Sequence, residues 1–160
     1  PEMIWRIEDA NGRVIKEVTT EVREVMNPIH AYSMIDMMKG VASYGTASRQ
    51  LRSMGINAEI AGKTGTTQNN SDGWFIGMVP NLVTGVWVGG EDRAIYFRTT
   101  AYGQGATMAL PIFGYYMKKC YADKDLNVSK GAFPAPQNIE IPIDCNKEKE
   151  GGTEEPEIDF

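Results

Sequence analysis

The chain has 160 residues and a formal net charge of -5, with 42% hydrophobic and 23% charged residues, enough to form one domain that buries about two thirds of its unfolded surface. Its 16 lysines and arginines are scattered, which excludes a nucleic-acid surface, because phosphate binding needs them clustered. One histidine, His30, and two cysteines without Cys-x-x-Cys spacing make no zinc site, so neither a metal nor any other cofactor is expected.

In chain order, a sequence opening on Pro1 reads as a processed product or an excised piece of something larger. No signal peptide is visible, and no run approaches the ~20 apolar residues that span a bilayer. Residues 3–18 alternate Met3, Trp5 and Ile7 against Ile4, Arg6 and Glu8 around Asn11-Gly12, predicting a hairpin with a type I′ turn and one buried face. Residues 19–25 continue as an extended connector. A helix follows, with Asn27 as N-cap and Pro28 as its first residue. Ile29, Tyr32, Ile35, Met38 or Met37, and Val41 or Ala42 give it a core-facing stripe, and its methionines read as core rather than as a peptide groove. Gly40 falls near its end, and Gly45 to Gly55 reads as a polar connector with a short helical turn at residues 49–54.

From Ala58 the pattern becomes that of a strand, with Ile60, Gly62, Thr64 and Thr66 on one side and Ala61, Lys63, Gly65 and Thr67 on the other. Residues 68–73 are a loop by composition. Strands at 74–79 and 82–89 are joined at Pro80-Asn81 as antiparallel partners. They carry almost no charge, which predicts a sheet covered on both faces, with Gly77 and Gly85 marking close packing and Trp5, Trp74 and Trp87 in the core. Residues 90–105 look irregular. A helix at about 106–121 contains Pro111, so its main part is expected from Leu110, with Lys118 and Lys119 complementing the dipole at its end. Cys120 and Cys145 read as two free thiols rather than a disulfide framework. The expected class is α+β, an antiparallel sheet of about five strands flanked by helices. Residues 1–130 form the domain, and 131–160 are a Pro-containing acidic tail, extended or disordered.

The chemistry is concentrated in Ala61-Gly62-Lys63-Thr64-Gly65-Thr66-Thr67. A cation beside alternating hydroxyls, on a strand whose glycines let another molecule approach the backbone, suits an anionic acyl substrate. A phosphate loop would need a glycine five residues ahead of Gly62 and would have to open a helix. That position is Asn57. A lone Lys-Thr-Gly would be an ordinary solvated strand lysine beside β-favouring threonines. The signal here is its length: it runs on into Ser71-Asp72-Gly73-Trp74-Phe75 and an apolar hairpin.

Residues 61–77, with Val83-Thr-Gly-Val-Trp-Val-Gly-Gly90, closely resemble the transpeptidase domain of class A penicillin-binding proteins. So do the helix from Ala31 to Val41, the Gly45-Thr46-Ala47 after it, and Ala109-Leu-Pro-Ile-Phe; together they cover residues 1–122. The resemblance implies acyl transfer on peptidoglycan stem peptides ending in D-Ala-D-Ala, by a serine that β-lactams also acylate. It implies that Lys63 supplies positive potential and relays protons as the catalytic element, and that Thr64 and Thr66 bind the substrate carboxylate. The backbone N–H of Thr66 would form half of an oxyanion hole, Gly65 would leave room for substrate, and Thr67 would complete the substrate strand. It also implies a protein at the periplasmic or extracytoplasmic face of the inner membrane.

The departure from the family is large. None of Ser33, Ser43, Ser48, Ser53, Ser71 and Ser129 is followed by Lys three residues on, and none lies in Ser-x-Asn. The chain therefore reads as the C-terminal portion of a transpeptidase, inactive alone, with apolar surface left open to self-association. The alternative is a non-catalytic domain that keeps the fold and holds a peptide at its strand edge. His30 reads as a surface or capping residue, and Asp72 as loop-forming.

Overall fold

The computed structural model describes residues 3–19 and 23–137. In chain order they form β1 (Arg6–Glu8), β2 (Val14–Glu17), α1 (Pro28–Ser43), α2 (Ser48–Ser53), β3 (Ala61–Thr66), β4 (Asp72–Val79), β5 (Leu82–Gly89), α3 (Thr100–Gly103) and α4 (Gly105–Ala122), with a 3-10 turn at Gln68–Asn70. The class is α+β, as expected. Its five strands, however, divide into two sheets: a β1–β2 ribbon and an antiparallel sheet ordered β3-β4-β5.

The three-stranded sheet is built on the period of two that the sequence carries. Thr64 sits opposite Phe75, and Phe75 opposite Val86, so these residues share the face that α4 covers. Phe75, Leu110, Phe113 and Met117 are the largest fully buried side chains, and the rings of Phe75 and Phe113 meet edge to face with centroids 4.8 Å apart. Gly77 is what lets the helix approach: a Cβ there would lie 2.5 Å from Cζ of Phe113. Gly85 does not share this role, since its nearest neighbour would be Ile76 at 3.8 Å.

The opposite face corrects the expectation of two covered sides. Trp74 and Trp87 are 43% and 48% exposed, and Ile76 and Val83 are exposed beside them. Low charge is shared by strands covered twice and by strands whose second face lies open, so composition did not separate the two. Trp5, at 67% exposed, is no core residue either. The ribbon it flanks is exposed on both faces. Its turn is not type I′, because only Gly12 takes a positive φ. Oδ1 of Asp9 instead accepts the N–H groups of Asn11 and Arg13, and a bulge sits between Ile7 and Glu8.

Helix α1 starts as predicted, with Oδ1 of Asn27 accepting the Ile29 N–H at 2.8 Å. It lies along β3 and buries fully only Gly40. Met34 and Met37 are exposed, against the expectation that its methionines line the core. Helix α4 begins at Gly105, five residues earlier than Pro111 suggested. Proline in a helix interior costs about 3 kcal/mol, and burial of Ala109, Leu110, Phe113 and Met117 on the same helix exceeds that at about 1.5–3 kcal/mol for each large side chain.

Beyond α4, Phe133 is buried and its N–H donates to Oε1 of Glu59 at 3.0 Å. Glu59 also faces Lys39, which pairs with Asp36 at 2.8 Å. Cys120 is buried and pairs with no other cysteine among the described residues. Cys145 and the tail from residue 138 lie outside the described residues.

Phe113→Ala should lower unfolding free energy by about 3–5 kcal/mol through the lost transfer term and the cavity under Gly77. Urea denaturation followed by circular dichroism measures it, and a loss below about 1 kcal/mol would contradict this packing.

Candidate active site at the open strand edge

Among the described residues β3 is paired on one side only, by β4. Its hydrogen-bond phase follows from a single contact. The Thr67 N–H donates to the Asp72 carbonyl at 3.1 Å, and residues 67 and 72 continue the register that pairs Thr66 with Gly73. Alternation along an antiparallel ladder then makes Gly65–Trp74 and Lys63–Ile76 bonded pairs, with Thr66–Gly73 and Thr64–Phe75 the non-bonded ones. The N–H and C=O groups of Thr64 and Thr66 therefore point away from β4, into the open edge.

The side chains around that edge have separate partners. Lys63 is exposed, and its Nζ donates to the Thr64 carbonyl at 2.7 Å. Oγ1 of Thr64 lies 3.5 Å from Oγ1 of Thr46, which the α1–α2 connection brings against the strand. Oγ1 of Thr66 accepts the N–H of Gly105, the first residue of α4, at 3.0 Å. Gly65 sits under Trp74, where a Cβ would be 3.1 Å from the tryptophan Cβ. The Lys63 ammonium thus reaches the edge at the Thr64 carbonyl, while the side chains of Thr64 and Thr66 leave the strand on its other face, toward Thr46 and Gly105. Thr67 turns into the loop, where its Oγ1 accepts the Asp72 N–H at 2.9 Å and lies 3.1 Å from Oδ2 of Asp72.

Asp72 does more than form a loop; it is the first residue of β4. Its Oδ2 accepts the Ser71 hydroxyl at 2.9 Å and its Oδ1 the Trp87 indole N–H at 3.0 Å. The Ser71 bond, followed by the Trp87 bond, holds the carboxyl below its ordinary value of 3.8, with smaller help from Thr67 and Arg93. The carboxylate joins the end of β3 to β5 across β4. The preceding turn needs Asn69 and Asn70 at positive φ, a conformation asparagine tolerates better than most residues. Sequence reasoning missed Thr46, Gly105 and the Asp72–Trp87 bond. The Gly45-Thr46 pair was visible as a motif; the other two depend on tertiary placement and left no sequence signal. Among the described residues no His, Cys, Asp and Glu cluster could hold a metal.

A family comparison gives a class to this antiparallel sheet, covered on one face by α4 and carrying Lys-Thr-Gly on its open edge strand. Residues 1–108 match the penicillin binding protein transpeptidase domain. The chain belongs to that family, and its relatives put it with the class A penicillin-binding proteins. It is 35% identical over 146 residues to penicillin-binding protein 1A of Aquifex aeolicus (strain VF5), covering 89% of this chain and 18% of that protein. Against penicillin-binding protein 1A of Neisseria lactamica it is 36% identical over 121 residues, covering 72% and 14%. The chain thus spans less than a fifth of these relatives. A crystal structure of penicillin-binding protein 1A from Haemophilus influenzae shares the fold, with TM-score 0.58 and 21% identity over 86% of this chain and 24% of that one.

Because folding lowers the Asp72 pKa, its contribution to stability is complete above the unfolded value near 3.8 and is lost as pH falls through the lower folded value. Asp72→Asn should therefore flatten the acid limb of the stability profile and shift the tryptophan emission at neutral pH. Urea midpoints between pH 2 and 6, read by fluorescence, test it. Identical acid limbs for the two proteins would show that the carboxylate is not held in this way.

Proposed function

We propose that this chain supplies the substrate-aligning strand of a peptidoglycan D,D-transpeptidase, without its nucleophile. What supports the reading is the outward pair of backbone groups at Thr64 and Thr66 beside Lys63, on an edge strand long enough to take an added peptide strand. A stem peptide ending in D-Ala-D-Ala would lie along β3, its terminal carboxylate on the hydroxyls of Thr64 and Thr66. Its penultimate carbonyl oxygen would meet the N–H of Thr66, half of the oxyanion hole.

The reaction then needs a serine from outside this chain. Its oxygen bonds to that carbonyl carbon, the amide C–N bond breaks, and D-Ala leaves as its nitrogen takes a proton. An amine from a neighbouring peptide resolves the acyl-enzyme. The Lys63 ammonium would make the potential at the serine more positive, which favours its alkoxide, and would help to move its proton. A β-lactam would acylate the same serine. The whole protein would work at the extracytoplasmic face of a bacterial inner membrane, where its polymer substrate lies. Among the described residues no helix is long and apolar enough to cross a membrane.

A polypeptide in which this segment follows Ser-x-x-Lys and Ser-x-Asn should be labelled covalently by a fluorescent penicillin. Lys63→Ala should slow that labelling at least ten-fold. The 160-residue chain alone should take no label, and label found on one of its serines would refute the missing-nucleophile reading. The chain should also self-associate through the exposed face bearing Trp74, Ile76 and Trp87. Light scattering measures this, and a clean monomer would count against it.

A further inference from the structure

We infer that Gly105 is a positioning residue for the site, acting through Thr66, and that the start of α4 is thereby part of the substrate-binding apparatus; the inference rests on the function proposed above. The first N–H groups of a helix lack intrahelical acceptors and are usually met by the side chain of the N-cap residue. In α4 the N-cap is Gln104, whose side chain makes no capping bond. The acceptor comes instead from another element: Oγ1 of Thr66, on β3, takes the Gly105 N–H at 3.0 Å.

The bond uses a lone pair of the hydroxyl and leaves its proton to donate. With the oxygen anchored, that proton has fewer orientations left, and accepting a bond makes the hydroxyl a stronger donor. Thr66 is exposed, and its backbone N–H faces the open edge of β3. One residue thus presents two donors, and Gly105 fixes one of them.

Only glycine permits the contact. A Cβ at position 105 would lie 2.3 Å from the Trp74 carbonyl oxygen and 2.5 Å from that of Gly65. Both are backbone atoms of paired strands and cannot swing aside as a side-chain end could. Any larger residue must lift the first turn of α4 off the sheet, separating Gly105 from Thr66. The remainder of the helix stays pinned by Phe113 and Met117, buried two and three turns further on. Gly105 is therefore separable from the core: its substitution reaches the site before it reaches the fold.

The test uses nitrogen-15 spectra of the 160-residue chain and titration with an N-acylated Lys-D-Ala-D-Ala peptide. Thr66→Val, which keeps the shape and removes the hydroxyl, should move the Gly105 amide resonance upfield and speed its hydrogen exchange at least ten-fold. Thr66→Ser should restore both. Gly105→Ala should shift the Thr66 amide and weaken peptide binding at least ten-fold, as Thr66→Val does, whereas Thr66→Ser stays within about three-fold of wild type. A Gly105 amide indifferent to Thr66→Val overturns the inference. So does a Gly105→Ala chain with a lower melting temperature but unchanged Thr66 resonance and peptide affinity, since that is a merely structural glycine. A wild-type chain that ignores the peptide counts against the function proposed above, and the amide spectra alone then decide the positioning of Thr66.

Discussion

The seating of the Phe113 ring over Gly77 and against Phe75 is the contact from which the rest of the arrangement follows. A side chain at position 77 would hold α4 away from the sheet, and the apolar face of β4 and β5 would lose its cover. With the helix seated, its first turn reaches the carbonyls of Gly65 and Trp74, and its N-terminal amide reaches Thr66. Core packing at the middle of α4 thus sets where its first turn meets the site, on a helix about 27 Å long for 18 residues at about 1.5 Å each.

Much of this was legible in the sequence, because the strands are written in period two and the helix start in a capping pair. Asn27-Pro28, the turn at Pro80-Asn81 and the alternation through Lys63, Thr64 and Thr66 each rest on local physics that tertiary context did not overturn. The errors share a different cause. Trp74 and Trp87 are large and apolar, so composition alone sends them inward, but burial is decided by what packs on a face, and nothing described here covers theirs. Pro111 is a strong local signal for a break, yet the residues on either side of it bury enough surface to keep the helix whole. The capping of α4 by a threonine 39 positions earlier lies beyond any reading that proceeds by neighbours along the chain.

The two threonines of the motif, which parity makes equivalent, are unequal in three dimensions. Thr64 faces another hydroxyl, that of Thr46, with either atom able to donate. Thr66 accepts from a fixed amide. One hydroxyl is adaptable and the other is set, a division that suits an anion to be held in one orientation while the group next to it changes shape. Asp72 supports the same region from behind, with its two oxygens on Ser71 and Trp87, so the strand end is fixed from both sides.

The bond from Lys63 to the Thr64 carbonyl has a consequence for the chain as a solute. An exposed strand edge is a template on which any extended polypeptide can pair, and cells guard such edges with charge, lysine above all. Here the lysine folds back to occupy one of the outward acceptors itself. A stray strand arriving at β3 would have to displace a cation from its acceptor and offer nothing in return, whereas a peptide ending in a carboxylate brings a counter-charge with it. Under the proposed function the side chain that would serve an acidic ligand doubles as a guard of the edge against fibrillar pairing, and edge admission becomes a matter of charge.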